Sequence, residues 1–589
     1  MKTTGADLLI RLLERQGIDT IPGIPGGASL PLYDALHSSG IRHVLARHEQ
    51  GAGFIAQGMA RATGRAAVCF GTSGPGATNL LTAIADAKLD SIPIVAVTGQ
   101  VPRAMIGTDA FQEIDTYGLT VPITKHNYLV RSAEELLEVV PDAFRIALSG
   151  RPGPVVIDVP KDVQKEEIDV GVLPEPGTAD PRPAIAPREI DAAAEMIAAA
   201  RRPLILIGAG VIGAGASELL RELSSRESIP VASTLLGLGA MPSSDPLFLG
   251  MVGMHAARCT NLVLEECDLL IALGIRFDDR ATGKVEAFCP RAKIIHVDID
   301  ASEIGKIKRP TLGSEADVGD WLRALLPGRD ARRDARRDAR RDASGASQPR
   351  EAWIRRVARL RWEHPLATPG SDDPLQPYGA IRETAALAGE DAIVTTDVGQ
   401  HQMWAAQAYP FSSPRQWLTS GGLGTMGFGL PAAIGAALAR PEKKIVCFTG
   451  DGSLLMNVQE LATAAEENVN VAIVLLNNGH LGLVRQQQEL FYGERYCASR
   501  FHAAPDFAAI ARGFGVEAFD LGRTADPSDA LESALSRHGP CLVNIPIEAA
   551  ENVYPMVPPG AANRDMIMGS GSFGRICTQA RSSLGADAL

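Results

Sequence analysis

The sequence predicts an α/β protein built on parallel sheets, and three observations carry that expectation. Short unbroken runs of apolar residues recur along the chain, as AAVCFG, PIVAVTG, GPVVIDVP, PLILIGAG, LLIALG, KIIHVDID, AIVTTD, KIVCFTGD and NVAIVLLNN. Continuous Val/Ile/Leu runs mark strands buried on both faces, hence parallel sheets covered by helices. Helix-like stretches stand between the runs, and the 59 Gly and 39 Pro punctuate the joins.

A chain of 589 residues is too long for one hydrophobic core, so three or four domains are expected. Hydrophobic residues at 46% and charged residues at 21% give an ordinary soluble balance. The formal net charge of −12 argues against nucleic acid or an anionic membrane as a partner of the whole chain.

The opening MKTTGADLLIRLLERQGID keeps charges through its apolar stretch. It reads as a capped amphipathic helix and not as a leader. Later apolar runs are too short and too interrupted to span a bilayer. Eight scattered cysteines, without a CxxC or a His/Cys cluster, predict reduced thiols in a cytoplasmic protein, with neither disulfides nor zinc.

Two stretches read as boundaries. Residues from about 170 to 188 are rich in Pro, Glu and Asp. Residues 329–343 read RDARRDARRDARRDA, a charge-balanced solvated spacer. The expected division is 1–168, 188–326, a charged linker at 327–359, 360–560, and a C-terminal tail at 561–589. The first and third segments end their strands in Gly-rich turns, where open α/β sheets bind ligands.

Residues 444–478 hold the most specific local pattern. The strand KIVCFT runs into Gly450-Asp451-Gly452, a helix-like stretch follows, and a second strand ends in Asn477-Asn478. In a βαβ unit, adjacent parallel strands bring Asp451 and Asn478 together across the crossover helix. A carboxylate and an amide oxygen are hard ligands suited to Mg²⁺, which completes its octahedron with phosphate oxygens and water. The glycines let backbone approach a diphosphate, and the helix N-terminus favours its charge. Either half alone is an ordinary turn or strand end. Together, at this spacing, they match the thiamine diphosphate motif.

With that cofactor suspected, further segments fall into place: GIPGGASLPLYDAL (23–36), RHEQGAGFIAQGMAR (47–61), GTSGPGATN (71–79), IGTDAFQEID (106–115), RPGPVVIDVPKD (151–162), RFDDRATGK (276–284), TTDVGQHQMW (395–404) and SGGLGTMGFGLPAAIGAAL (420–438). Spread in order over nearly the whole core, they resemble the catalytic subunits of the acetolactate (acetohydroxyacid) synthase family. The resemblance implies three doubly wound parallel-sheet domains, binding the pyrimidine, FAD and the diphosphate in that order.

It implies site residues as well. Glu49 is the acid that hydrogen-bonds the aminopyrimidine and promotes its imino form. Val398, Gly399, Gln400 and His401 surround the thiazolium and diphosphate. Gly424 offers its carbonyl to the 4′-amino group, and Met426 forces the cofactor's bent shape. Gly450, Gly452 and Ser453 line the diphosphate, and the His480 backbone oxygen joins Asp451 and Asn478 on the metal. Ala28, Phe111, Gln112 and Lys161 line the substrate funnel, and Arg280 clamps the second substrate's carboxylate.

The central run LILIGAGVIGAGA contains a GxGxxG pattern, but no acid stands obviously at the end of a following strand, as a dinucleotide fingerprint wants. The resemblance instead implies an FAD site of Arg151, Gly208, Gly210, Thr234, Leu235, Met254, His255, Arg276, Asp278, Arg280, Asp298 and Asp317. The family reaction is redox-neutral, so the resemblance implies a flavin that is structural or an evolutionary remnant.

The implied reaction decarboxylates pyruvate and joins its two-carbon unit to pyruvate or 2-oxobutyrate, on the way to valine, leucine and isoleucine. The implied assembly is a dimer or tetramer whose pyrimidine and diphosphate sites come from different chains, with a separate small regulatory subunit. A pyruvate oxidase-like flavoenzyme is the alternative. One departure stands out: the family usually has Trp where this chain has Gln487, and Leu483 also differs from many members. Loose choice between the two acceptors is therefore expected.

Overall fold

The apolar runs become strands, as their composition requires. The structure is a computed structural model describing residues 2–326, 350–503 and 505–569, so the Arg/Asp repeat at 329–343 lies outside the described residues. Thr4 accepts from the Asp7 backbone N–H and caps helix Gly5–Arg15. Leu8, Leu9, Leu12 and Leu13 of that helix are buried, while Arg11 and Glu14 face out. This is the amphipathic helix expected of the N-terminus.

The chain forms two compact units. One takes Met1–Pro181, Asp372–Gln402 and Leu418–Ala550; the other takes Arg182–Ser371, Met403–Trp417 and the chain from Glu551. The first holds two six-stranded sheets. Its N-terminal sheet runs Arg42–Leu45, Thr20–Gly23, Ala67–Gly71, Ile94–Gln100, Val155–Pro160, His126–Leu129. Its C-terminal sheet runs Trp417–Thr419, Ile393–Thr396, Ile445–Gly450, Val471–Asn477, Cys541–Pro546, Glu517–Asp520. With the strands of each numbered in chain order, both read 2-1-3-4-6-5. The pairings of the central strands are parallel, and those strands are buried along their whole length. Helices cover both faces, which is what unbroken apolar strands demand.

Helix Glu49–Thr63 lies against helix Gly429–Ala439 at very short range. A Cβ on Gly58 would stand 2.1 Å from the Ala432 carbonyl oxygen, and one on Gly435 would stand 1.9 Å from that of Ile55. Only hydrogen fits at either place, so the two helices are held backbone to backbone.

The second unit holds the central sheet, in the order Phe248–Met251, Val231–Ser233, Pro203–Ile207, Leu269–Leu273, Lys293–Asp298, Leu312–Glu315. In chain order this is 3-2-1-4-5-6, the doubly wound dinucleotide-binding arrangement. Two expected boundaries need correction here. Helix Glu351–Glu363 crosses the expected boundary between the linker 327–359 and the segment 360–560, and it packs into this unit. Its Trp353 is buried, and the indole N–H donates to the Pro203 carbonyl at 2.9 Å. The chain past 560 is likewise no loose tail as far as residue 569. Ala562 and Met566 are buried, and Asn261 Nδ2 donates to the Asn563 carbonyl. In both cases a few buried side chains within a polar stretch decide the matter. Among the described residues no helix is long and apolar enough to cross a membrane.

Candidate active site

Strand Ile445–Gly450 pairs in parallel with Val471–Asn477, with Gly450 opposite Leu476. Asp451 and Asn478 are therefore the first residues past two neighbouring strands, as the βαβ reading requires. Asp451 Oδ1 accepts from the Gly452 N–H at 2.9 Å. Asp451 Oδ2 is buried without a hydrogen-bond partner. Burial pushes this carboxyl up to about 6, against the pull of the Gly452, Gly479 and His480 N–H groups. A buried acid with an open lone pair and a raised pKa suits a divalent cation, which would replace the missing partner.

Asn478 is held on both sides. Its Oδ1 accepts from the His480 N–H at 3.0 Å, and its Nδ2 donates to Gln400 Oε1 at 3.1 Å. Gln400 Nε2 in turn donates to Gln486 Oε1 at 3.0 Å. Orientation of the amide is thus set by a chain of three side chains. Among the described residues no cluster of three or more His, Cys, Asp or Glu could hold a metal.

The other residues expected near the thiazolium and diphosphate gather at the same strand ends. Ser453 Oγ donates to the Val398 carbonyl at 3.1 Å. A Cβ on Gly450 would lie 2.9 Å from His401 Nδ1, so the absence of a side chain there makes room for the imidazole. His401 is buried with Nε2 unpartnered, and desolvation lowers its pKa to about 3. It is a neutral ring. Val398 Cγ1 comes within 4.0 Å of a Cβ built on Gly424, which joins segment 420–426 to this group. Gly452 lies under Leu481, and Met426 is half-buried.

Glu49 opens helix Glu49–Thr63 at the edge of the N-terminal sheet. It is buried, and Asn79 Nδ2 donates to its Oε2 at 2.9 Å. Its Oε1 stands 3.4 Å from a Cβ built on Gly76. Its neighbours come from Gly76 and Asn79 at the start of helix Pro75–Asp90, whereas those of Asp451 come from 452 and 479–480. The two acids sit in separate surroundings.

On the central sheet, the residues expected at FAD line one rim. Gly208 and Gly210, Thr234 and Leu235, Met254 and His255, Arg276 and Asp278, Asp298, and Asp317 all stand at or just past the carboxyl ends of the parallel strands. The strand order reverses between Pro203–Ile207 and Leu269–Leu273, the switch point where such sheets take ligands. A Cβ on Gly208 would meet the Gly274 carbonyl oxygen at 2.2 Å, so close strand packing alone requires that glycine. His255 Nδ1 meets the Pro555 carbonyl at 3.0 Å, its Nε2 is buried without a partner, and desolvation lowers its pKa to about 4. The rim fits a dinucleotide, with His255 Nε2 an open polar contact. Arg151 belongs to the other unit, where its guanidinium donates to Ser91 Oγ.

Three stretches match the thiamine pyrophosphate enzyme family: residues 3–119 its N-terminal TPP binding domain, 190–325 its central domain, and 397–545 its C-terminal TPP binding domain. The chain is 57% identical to the protein named acetolactate synthase isozyme 1 large subunit of Escherichia coli (strain K12), over 96% of this chain and 97% of that one. It is 45% identical to isozyme 2 large subunit of the same organism, over 96% and 99%. It is 46% identical to a probable acetolactate synthase large subunit of Methanocaldococcus jannaschii, over 94% of each. The chain belongs to the acetolactate synthase large-subunit family.

The residues that the family resemblance assigns to substrate lie on several elements. Ala28 is buried, and its carbonyl accepts from Gln164 Nε2. Gln112 takes a positive φ of 59° and packs its backbone on Gly74, while Phe111 beside it is 86% exposed. Lys161 opens the short helix Lys161–Lys165. Leu483 and Gln487 lie half-buried on helix Gly482–Phe491. Arg280 belongs to the second unit, in the helix Asp279–Thr282 that Asp278 caps.

Sequence reasoning missed three supporting residues. Glu460 Oε1 accepts from the N–H groups of Arg47 and His48, each at 3.0 Å, and so fixes the approach to Glu49. Asn79 and Gln486 touch Glu49 and Gln400 directly. Asn79 ends a motif already noted. The other two are polar residues on helices, and their burial is visible only in three dimensions.

Proposed function

We propose that this chain decarboxylates pyruvate and condenses the resulting two-carbon unit with pyruvate or 2-oxobutyrate, giving 2-acetolactate or 2-aceto-2-hydroxybutyrate for branched-chain amino acid synthesis. One observation carries the reading: the unpartnered Asp451 Oδ2, set beside Asn478 at adjacent strand ends. Thiamine diphosphate with Mg²⁺ supplies a nucleophilic carbon and an electron sink when bound.

The chain's own residues bind, orient and move protons. Asp451, Asn478 and the His480 backbone oxygen hold Mg²⁺, with Gly450, Gly452 and Ser453 along the diphosphate. Glu49 holds a proton at the pyrimidine ring, and Asn79 keeps its carboxyl in place. Arg280 and Lys161 attract the substrate carboxylates, which turns their ketones toward the reacting carbon. Gln112, Ala28 and Phe111 shape the funnel. The rim of the central sheet takes FAD without redox work.

The assignment of 1–168 to the pyrimidine, 188–326 to FAD and 360–560 to the diphosphate belongs to this reading. So does a dimer in which Glu49 serves a cofactor held by the partner's diphosphate half. The large-subunit names of the relatives support a separate small subunit for this chain too. A cytoplasmic location fits the family and the reduced thiols.

Pyruvate, Mg²⁺ and thiamine diphosphate, with and without FAD, are to be supplied to the purified chain. Acetolactate is the expected product. Flavin bleaching by pyruvate at the turnover rate, with acetate formed instead, would replace this reading by an oxidase.

A further inference from the structure

The loop that carries Gly424 and Met426 is held by a buried ionic network that no assigned role accounts for. Asp86 and Asp90 lie one helical turn apart on helix Pro75–Asp90, on the same face. Both side chains are fully buried. Arg61, at the far end of the helix that begins with Glu49, reaches between them, with Nη2 at 3.2 Å from Asp86 Oδ1 and 2.8 Å from Asp90 Oδ2. Gln57 Oε1 accepts from the same Nη2 at 2.8 Å.

The remaining lone pairs of the two acids are spent on the loop. Asp90 accepts from the N–H groups of Gly421 at 3.0 Å and Gly422 at 2.7 Å. Asp86 Oδ2 accepts from the Ser420 hydroxyl and, at 2.8 Å, from that of Thr425. Arg61 brackets the loop at both ends, since Nη1 donates to the Thr419 carbonyl at 2.9 Å and the guanidinium sits 4.9 Å over the Phe428 ring. Between these anchors, Gly424 at φ 72° and Gly427 at φ 86° adopt backbone that prefers glycine. Such a loop does not hold its own shape. Its conformation is imposed from the N-terminal sheet's helices.

Two acids and one base leave a net negative charge in the interior. Ion pairs buried in this way are poor sources of stability, and a set geometry is their better-attested use. We propose that Asp86, Asp90 and Arg61 are positioning residues, which place the Gly424 carbonyl and the Met426 side chain where the aminopyrimidine and thiazolium rings of thiamine diphosphate must bend. This rests on the reading of 424 and 426 as cofactor contacts.

The test compares Asp90→Asn, Asp86→Asn and Thr425→Val with the unmodified enzyme. Three quantities are read: the half-saturating thiamine diphosphate concentration, the rate of hydrogen–deuterium exchange at C2 of the bound cofactor, and the melting temperature. Each acid variant is expected to raise the first about tenfold and slow the second about tenfold, as loss of an outer partner does at a bound centre. Thr425→Val keeps both acids and the fold, and should slow exchange by a smaller factor.

Wild-type saturation and exchange in the variants would overturn the proposal, whatever happens to the melting temperature. If the acid variants do not fold, a wild-type exchange rate in Thr425→Val overturns it by itself. An unmodified enzyme that exchanges C2 hydrogen but makes no acetolactate would defeat the proposed reaction, and the positioning test would still stand. One that does not bind thiamine diphosphate at all would defeat both.

Discussion

The N-terminal and C-terminal sheets of the first unit share one strand order and differ in what they place at matching edges. Past the third and fourth strands, the C-terminal sheet puts Asp451 and Asn478, while the N-terminal sheet puts Thr72 and Val101. The first pair offers the hard oxygen ligands of the proposed cation site. The second, a hydroxyl and an aliphatic side chain, cannot hold Mg²⁺. Past the second strand the contrast runs the other way. The N-terminal sheet leads through His48 to the acid Glu49, and the C-terminal sheet leads into the glycine loop of Gly424 and Met426. In the proposed function one topology serves two jobs on one cofactor: the sheet supplies the edge, and a handful of side chains sets which end of the ligand it is proposed to take.

The contrast is sharpest at Glu49. Glu49→Gln should cost about 10²- to 10⁴-fold in turnover, the usual worth of a positioned acid, with the melting temperature unchanged. Activity within threefold of the unmodified enzyme, ~0.6 kcal/mol on the tenfold-per-1.4 scale, would remove Glu49 from the chemistry.

Two buried acids at the strands of these sheets, Asp158 and Asp451, differ as well. Asp158 accepts from Thr98 Oγ1 at 2.7 Å and Gln100 Nε2 at 3.0 Å, so it is satisfied, unlike Asp451. Burial pushes Asp158 up to about 7. A carboxyl raised above its unfolded value stabilises the fold most at low pH, and that contribution is lost as pH rises through the folded value. Stability of the unmodified chain should therefore fall between about pH 4 and pH 7 relative to Asp158→Asn. Melting temperatures across that range test this, and parallel curves would show that Asp158 does not titrate there.

Gln400→Leu removes the amide that orients Asn478. A loss of about 10- to 100-fold in Mg²⁺ affinity is expected. Thr72→Val, at the edge that matches Asp451, should leave Mg²⁺ affinity alone. Calorimetric titration of both variants with Mg²⁺ and thiamine diphosphate sharpens or breaks the division of labour. Equal losses in the two would break it.

The smallest expected effect is at Gln487. Gln487→Trp should raise the preference for 2-oxobutyrate over pyruvate by about 2- to 10-fold, since an aromatic contact adds roughly 0.5–1.5 kcal/mol. Competition between the two acids measures it. A strong preference already present in the unmodified chain would show that another residue makes the selection.

The sequence by itself determined the α/β class, and it raised as expectations the Mg²⁺–diphosphate pair and, through the family resemblance, Glu49 and the flavin rim. These are local matters. Strand-ending glycines, hard ligands at a set spacing and unbroken apolar runs are all written within a few tens of residues. Only the tertiary structure decided that the two cofactor-binding sheets share one topology, because strand order depends on which edges meet and not on what any strand contains. It also decided the burial and the partners of Arg61, Asp86, Asp90, Glu460 and Gln486, none of which the sequence assigned a role. Burial turns such groups into fixed partners, since a polar side chain removed from water must find its hydrogen bonds within the fold. The same holds for helix Glu351–Glu363, where one buried tryptophan outweighs a charged neighbourhood and brings a presumed linker into a core.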